Sequence, residues 1–191
     1  MRQWIGAASL LLLLAGPVAA QDFPRAEVAG SYQFLRISQE DFGKMLHGWG
    51  ASVTGNFNRY FGIEAAFTGT YGDFYDIDGE PDDPDIDVNA RLRNYTFLFG
   101  PRFAARGDRV TGFAHMLLGG FRTSISAAAS DPNASESMNG FAWALGGGID
   151  INIVEHLAVR PAQLDYMRFH SGDLDNSMNG FGYSAGLVLK F

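Results

Sequence analysis

Eight stretches of this sequence alternate apolar residues with small or polar ones, the pattern of strands with two unlike faces. The last, FGYSAGLVLKF (181–191), puts Phe181, Tyr183, Ala185, Leu187, Leu189 and Phe191 on one side and Gly182, Ser184, Gly186, Val188 and Lys190 on the other. AEVAGSYQFLR (26–36) sets Val28, Gly30, Tyr32 and Phe34 against Glu27, Ala29, Ser31 and Gln33. GWGASVTGNF (48–57) sets Trp49, Ala51, Val53, Gly55 and Phe57 against Gly50, Ser52, Thr54 and Asn56. GIEAAFTGTY (62–71) sets Ile63, Ala65, Phe67 and Tyr71 against Glu64, Ala66, Thr68 and Thr70. RNYTFLFGPRF (93–103) sets Tyr95, Phe97, Phe99 and Phe103 against Thr96, Leu98, Gly100 and Arg102.

The remaining stretches are less regular. In VTGFAHMLLGGF (110–121), Thr111, Phe113, His115 and Gly119 take the small or polar face, and Ala114, Met116 and Leu118 the apolar one. GFAWALGGGID (140–150) sets Phe141, Trp143, Leu145 and Ile149 against Ala142, Ala144, Gly146, Gly148 and Asp150. LAVRPAQLDYMRF (157–169) loses phase near Pro161. A bulge there would return Arg160 and Asp165 to one face, since proline in a sheet is confined to edges and bulges.

The connections alternate in length: 58–61, 104–109 and 152–156 are short, while 37–47, 72–92, 122–139 and 170–179 are long. An all-β, antiparallel, up-and-down barrel whose two ends meet different surroundings gives this alternation. An even strand count places both termini at the short-turn end, and no second domain is indicated.

Two closed barrels fit. A soluble carrier points its apolar face inward; a transmembrane barrel points it at lipid. The face opposite the aromatics decides between them. Its strand centres carry Gly, Ala, Ser, Thr and Asn, with almost none of the Lys, Glu and Arg that a wetted exterior needs. A narrow lumen lined by small and polar side chains accounts for this. A charge on a lipid face near mid-membrane costs about 2–4 kcal/mol, which explains the lack of Arg and Lys among the aromatics.

Residues 1–20, MRQWIGAASLLLLLAGPVAA, have a basic start, a short apolar core and a small-residue exit. They read as a cleavable signal helix cut before Gln21, the alternative being an uncleaved anchor. The barrel domain is then 21–191. The chain contains no cysteine, which fits a bacterial envelope better than a disulfide-stapled secreted domain. It has 21 acidic residues against 14 basic, one of the latter in the leader, and no basic cluster, so no nucleic-acid partner is expected.

Residues 21–191 resemble the small outer membrane β-barrel family of Gram-negative bacteria, of the OmpA-transmembrane-domain-like and OmpX-like (porin family) kind. The resemblance rests on the leader and on GWGASVTGNFNRYFGIEA, FGPRFAAR, FAHMLLGG, FAWALGGGIDIN and the terminal YSAGLVLKF. It implies residence in the outer membrane among its lipids, and a C-terminal strand read by the barrel assembly machinery. Tyr183, Leu187, Leu189 and Phe191 match that signal. OmpA-like relatives carry a peptidoglycan-binding domain after the barrel; with the sequence stopping at Phe191, anchoring by that route is not expected. A monomer without cofactor or metal is expected.

Charges on the inward face gather near the short-turn end: Glu27, Glu64 and Asp150 against Lys190, Arg102 and Arg160, with His115 nearby. Buried charges persist when paired or hydrated, so an ion-pair layer is expected, with Glu27–Lys190, Glu64–Arg102 and Asp150–Arg160 as partners. It either fills the lumen and fixes register, or forms a gate that opens when Glu64–Arg102 breaks. The loop GDFYDIDGEPDDPDIDVNA is a solvated, self-repelling tip or a cation ligand, though it lacks EF-hand spacing.

Some small outer membrane barrels are hydrolases. RFHSGDLD, with His170, Ser171, Asp173 and Asp175, offers suitable residue types at the outer rim, and His47 lies at similar height. Neighbours on one loop do not make a preorganised site, so no enzyme is expected. His115 reads as a hydrogen-bonded lumen residue. The expected function is a structural or narrow-pore role in the outer membrane; the alternative is surface interaction or adhesion through the long loops.

Overall fold

The computed structural model describes residues 23–39, 42–75, 89–127, 135–171 and 177–191. The leader, the tip of the acidic loop, Asp173 and Asp175 lie outside the described residues, as do the loop tips on which adhesion would depend.

Eight strands follow in chain order: β1 (Ala26–Gln39), β2 (Phe42–Asn56), β3 (Phe61–Tyr75), β4 (Asn89–Arg106), β5 (Val110–Ala127), β6 (Ser135–Val154), β7 (Leu157–Ser171) and β8 (Ser177–Lys190). Each pairs antiparallel with its neighbour in sequence, and β1 pairs with β8 to close the barrel. Closure leaves no unpaired edge, a requirement in lipid, where no water satisfies backbone groups. Ala26 and Phe191 complete the seam: Ala26 N–H donates to Phe191 O at 3.1 Å and Phe191 N–H to Ala26 O at 2.8 Å.

The faces fall as the alternation requires. Phe97, Phe99, Leu145, Phe181 and Leu187 are each at least half exposed on the outer wall, while Glu27, Arg102, His115 and Asp150 are buried inside. At Pro161 the register slips between Arg160 and Gln163, and this bulge puts Arg160 and Asp165 on the inner face together. In the turn between β2 and β3, Asn58 Oδ1 accepts from the N–H groups of Tyr60 (2.8 Å) and Phe61 (2.9 Å), holding the tight reversal.

Two expectations need correction. Most strands run further than the alternation does, chiefly at the long-loop end: β2 begins at Phe42 rather than 48, and β6 at Ser135 rather than 140. Toward these ends the outer face is no longer continuously apolar, with Arg36 and His47 exposed on it, so the two-sided pattern fades before the hairpins do. The stretch 37–47 is therefore mostly hairpin, with β1 ending at Gln39 and β2 starting at Phe42. The lumen is also not uniformly small and polar. Leu35, Leu46, Leu98, Leu117, Phe121 and Phe169 pack into a buried apolar cluster inside it. That cluster lies on the long-loop side of the charges, and its larger members replace water with close-packed side chains.

Candidate functional site in the barrel lumen

Arg102 occupies the middle of the charge layer. It projects from β4 and is only 1 % exposed. Its Nη2 lies 3.2 Å from Glu27 Oε2 on β1 and 3.2 Å from Asp150 Oδ2 on β6, and its Nη1 donates to Thr54 Oγ1 on β2 at 2.9 Å. Nε stands 4.0 Å from Glu64 Oε2 on β3. One guanidinium thus joins β4 to four other strands, three of which, β1, β2 and β6, are not its neighbours in the sheet. A planar fork with five donors is suited to this; an ammonium is not.

Asp150 also takes a two-point contact from Arg160, Nε to Oδ1 at 2.7 Å and Nη2 to Oδ2 at 3.1 Å. Arg160 Nη1 donates to Gln163 Oε1 at 2.8 Å, and Gln163 Nε2 to Asp165 Oδ2 at 2.8 Å. Asp165 Oδ1 lies 2.7 Å from His115 Nε2, and Glu64 Oε2 lies 3.0 Å from His115 Nδ1. The contacts close on themselves through Glu64 and Arg102. Ionised carboxylates only accept, so two such bonds require two protons shared among His115, Glu64 and Asp165.

Phe113 ties the two arginines together. Its ring centroid is 4.0 Å from the Arg102 guanidinium carbon and 4.3 Å from that of Arg160. A quadrupole with a negative face offsets some of the repulsion between two like charges held close. Gly146, beside His115 in the β5–β6 ladder, leaves room for the Asp165 carboxylate, because a Cβ there would come within 2.0 Å of Asp165 Oδ1.

All seven residues expected in the layer face the lumen, but their pairings differ from the expectation. Glu27 and Lys190 are register partners across the β1–β8 seam, yet Lys190 Nζ donates to Asn152 Oδ1 at 2.6 Å. Glu27 instead meets Arg102 and Arg106, the latter through Nη2 to Oε1 at 2.6 Å. Side chains cross the lumen more easily than they bend back along a wall, so register alone does not name the partner. Glu64 is nearer His115 than Arg102, whereas Asp150 and Arg160 do meet. Arg106 and Asp165 belong to the network and were absent from the expected layer. Arg106 falls in a stretch read as a turn, and its signal is the even spacing that continues Arg102's face. Asp165 was read onto Arg160's face but not into the layer.

Between the charge ring and the apolar cluster lies a polar cavity of about 40 Å³, bordered by Ser31, Gln33, Thr68, Thr96, His115 and Asp165 among others. At roughly 10–15 Å³ per water centre it holds a few waters and no column of them. Of the rim residues considered for catalysis, only the side chains of His47 and His170 are described. His47 pairs with Tyr32 Oη at 2.9 Å on β2's outer face, and His170 sits against Phe141 on β7. Tyr183, Leu187, Leu189 and Phe191 all point outward and are 40–54 % exposed.

Comparison with known proteins bears on the whole chain. The sequence model described as Outer membrane protein beta-barrel domain matches residues 5–191. No curated protein sequence matches. Among solved structures, Ail, the attachment invasion locus protein of Yersinia pestis, superposes with TM-score 0.60 at 16 % identity, covering 88 % of this chain and 99 % of that one. Neisserial surface protein A superposes with TM-score 0.62 at 11 % identity, covering 90 % of this chain and 100 % of that one. At these identities the likeness concerns the fold.

Proposed function

This chain belongs to the outer membrane β-barrel domain family and resides in the outer membrane, and from that premise we propose that it is a non-enzymatic structural barrel with a sealed lumen. The observation that carries this reading is Arg102, buried at the centre and bound to groups from β1, β2 and β6 as well as facing β3. A side chain so placed braces the cylinder across its bore and blocks the path along it. The apolar cluster around Leu46, Leu117, Phe121 and Phe169 forms a second block, so a permeating ion would have to cross an apolar layer and an ion-paired one. A narrow pore would open only if both layers rearranged.

The protein acts as a monomer among outer membrane lipids. The outward row Tyr183, Leu187, Leu189 and Phe191 serves as the strand signal taken up by the assembly machinery, which its exposure on the seam strand supports.

Current across a planar bilayer tests the sealed lumen. Wild type and Glu64→Gln are expected to stay silent, because Arg102 keeps nearer partners than Glu64. The double variant Arg102→Ala/Phe121→Ala, which thins both layers, is expected to give discrete steps. Steady conductance by the wild type would overturn the reading.

A further inference from the structure

The layer of charge across the bore is balanced without one of its members. Arg102, Arg106 and Arg160 carry three positive charges. Glu27 and Asp150 answer two of them, and Glu64, His115 and Asp165, sharing two protons, carry the third negative charge. Lys190 is left over. It is 6 % exposed, and its ammonium donates one hydrogen bond, to Asn152 Oδ1 at 2.6 Å. Among the described residues no carboxylate pairs with it, and two of its three donors are unused. A cation in such a place persists when it is paired or hydrated.

Lys190 lines an open pocket of about 620 Å³ at the short-turn mouth of the barrel. Asn152 fixes it there. The Asn152 Nδ2 donates to Asp108 O at 3.2 Å and its backbone N–H to Arg109 O at 2.8 Å, which locks the amide to the β4–β5 turn with Oδ1 toward Lys190. Arg109, exposed on that turn, lines the same pocket and has no side-chain partner among the described residues. Asp108 and Glu155 also stand at the lip, exposed, where water and salt screen them. Phe23, Ile153 and Val154 give the wall an apolar part. The chain beside Phe23 is held in place by Asn56, whose Nδ2 donates to Pro24 O at 2.8 Å.

We infer that this mouth binds a small organic monocarboxylate, with its carboxylate on Lys190 and its apolar body against Phe23, Ile153 and Val154. Charge selects a monoanion. One surplus cation is matched by one negative charge, whereas a phosphate dianion would leave an excess beside the buried Glu27 and Asp150. The apolar wall selects against an inorganic ion, and the volume is that of a small-molecule site. Arg109 at the lip adds a positive charge on the path of entry. With the short turns on the periplasmic side, the mouth draws its ligand from the periplasm. The inference goes beyond the sealed-lumen reading and does not need it, since the site lies outside the paired layer.

The test uses the folded full-length barrel in lipid nanodiscs, with NMR titration of the backbone amides of Asn152, Ile153 and Lys190. The probes are phenylacetate, its neutral isostere phenylacetamide, and acetate. Wild type is expected to bind phenylacetate about tenfold more tightly than phenylacetamide, as one charge-assisted bond implies. Acetate, without the apolar body, should also bind about tenfold more weakly. Lys190→Met should bring phenylacetate down to the level of the amide. Arg109→Glu, on an exposed turn where folding is not at stake, should weaken phenylacetate several-fold and leave phenylacetamide unchanged. Equal binding of phenylacetate and phenylacetamide by wild type would overturn the inference, as would equal binding of acetate or a folded Lys190→Met variant that binds as wild type does. So would displacement by chloride at matched concentration, or binding seen only in Asp22→Asn, which would make that side chain the occupant. Binding by a wild type that conducts would sink the sealed-lumen reading alone; a silent wild type that binds none of the probes would sink this inference alone.

Discussion

Arg102 on β4 and Asp150 on β6 meet at 3.2 Å across strands that are not neighbours in the sheet. Backbone bonds join only adjacent strands, so contacts of this kind limit how far the cylinder can flatten. Breaking a buried, hydrogen-bonded ion pair by removing one partner costs about 3–5 kcal/mol. Asp150→Asn, which leaves Arg102 and Arg160 without their shared carboxylate, is expected to lose that much in urea unfolding followed by gel mobility. A loss under about 1 kcal/mol would mean that the contact is solvated and slack.

Phe113 gives a second test on the same layer. Its ring faces two guanidiniums, and a desolvated cation–π contact contributes about 2 kcal/mol. Phe113→Leu keeps the apolar bulk and removes the quadrupole. It is expected to destabilise the barrel by about 2 kcal/mol or more, while Phe113→Tyr stays near wild type. Equal stability of the Leu and wild-type proteins would show that the ring is only filler.

How much of this was legible in the sequence divides along the wall of the barrel. The lipid phase imposes alternation on residues such as Phe97 and Leu187, so faces, strand number and the inward charges could be read directly. The Pro161 bulge could be read too, because Arg160 and Asp165 fell out of phase. Partners in the lumen could not. Glu27 stands opposite Lys190 in the ladder, but its carboxylate goes to Arg102 and Arg106 across the bore. Those distances depend on strand tilt and closure, which no local pattern records. Leu46, inside the apolar cluster, falls in the stretch 37–47 taken as a loop, and Phe121 closes the less regular stretch 110–121 without a face of its own, since nothing in their neighbours' alternation marks a plug.

The bulge itself yields a third prediction. Deleting Ala162 removes the slip between Arg160 and Gln163. Arg160 and Asp165 then stand four residues apart in a regular ladder, and both still face the lumen. The deletion is expected to keep the heat-dependent mobility shift after refolding, whereas deleting Ala144 from the regular middle of β6, which turns the side chains beyond it to the other face, abolishes it. Loss of the shift in the Ala162 deletion, or its survival in the Ala144 deletion, would show that face parity does not decide assembly.

The seam at the C-terminus gives a fourth. Phe191 exchanges two backbone bonds with Ala26 and exposes its ring outward. Phe191→Ala keeps the backbone bonds and removes the outward ring. If the ring belongs to the assembly signal, in-cell insertion should fall several-fold while refolding of the purified chain in detergent is little changed. A matching loss in both would mean that the residue serves stability alone.

The central claim is that one face of each strand meets lipid and the other a sealed lumen. The chain has no cysteine, so single cysteines report without background. Probes at Phe99 and Leu145 on the outer wall should be quenched by nitroxide-labelled lipid. Cysteines at Ser31 and Ala144 inside should resist both lipid quenching and a charged, membrane-impermeant thiol reagent. Rapid reaction of the inner pair with that reagent would contradict the account by showing an open bore, and lipid quenching of the same pair would show the faces reversed.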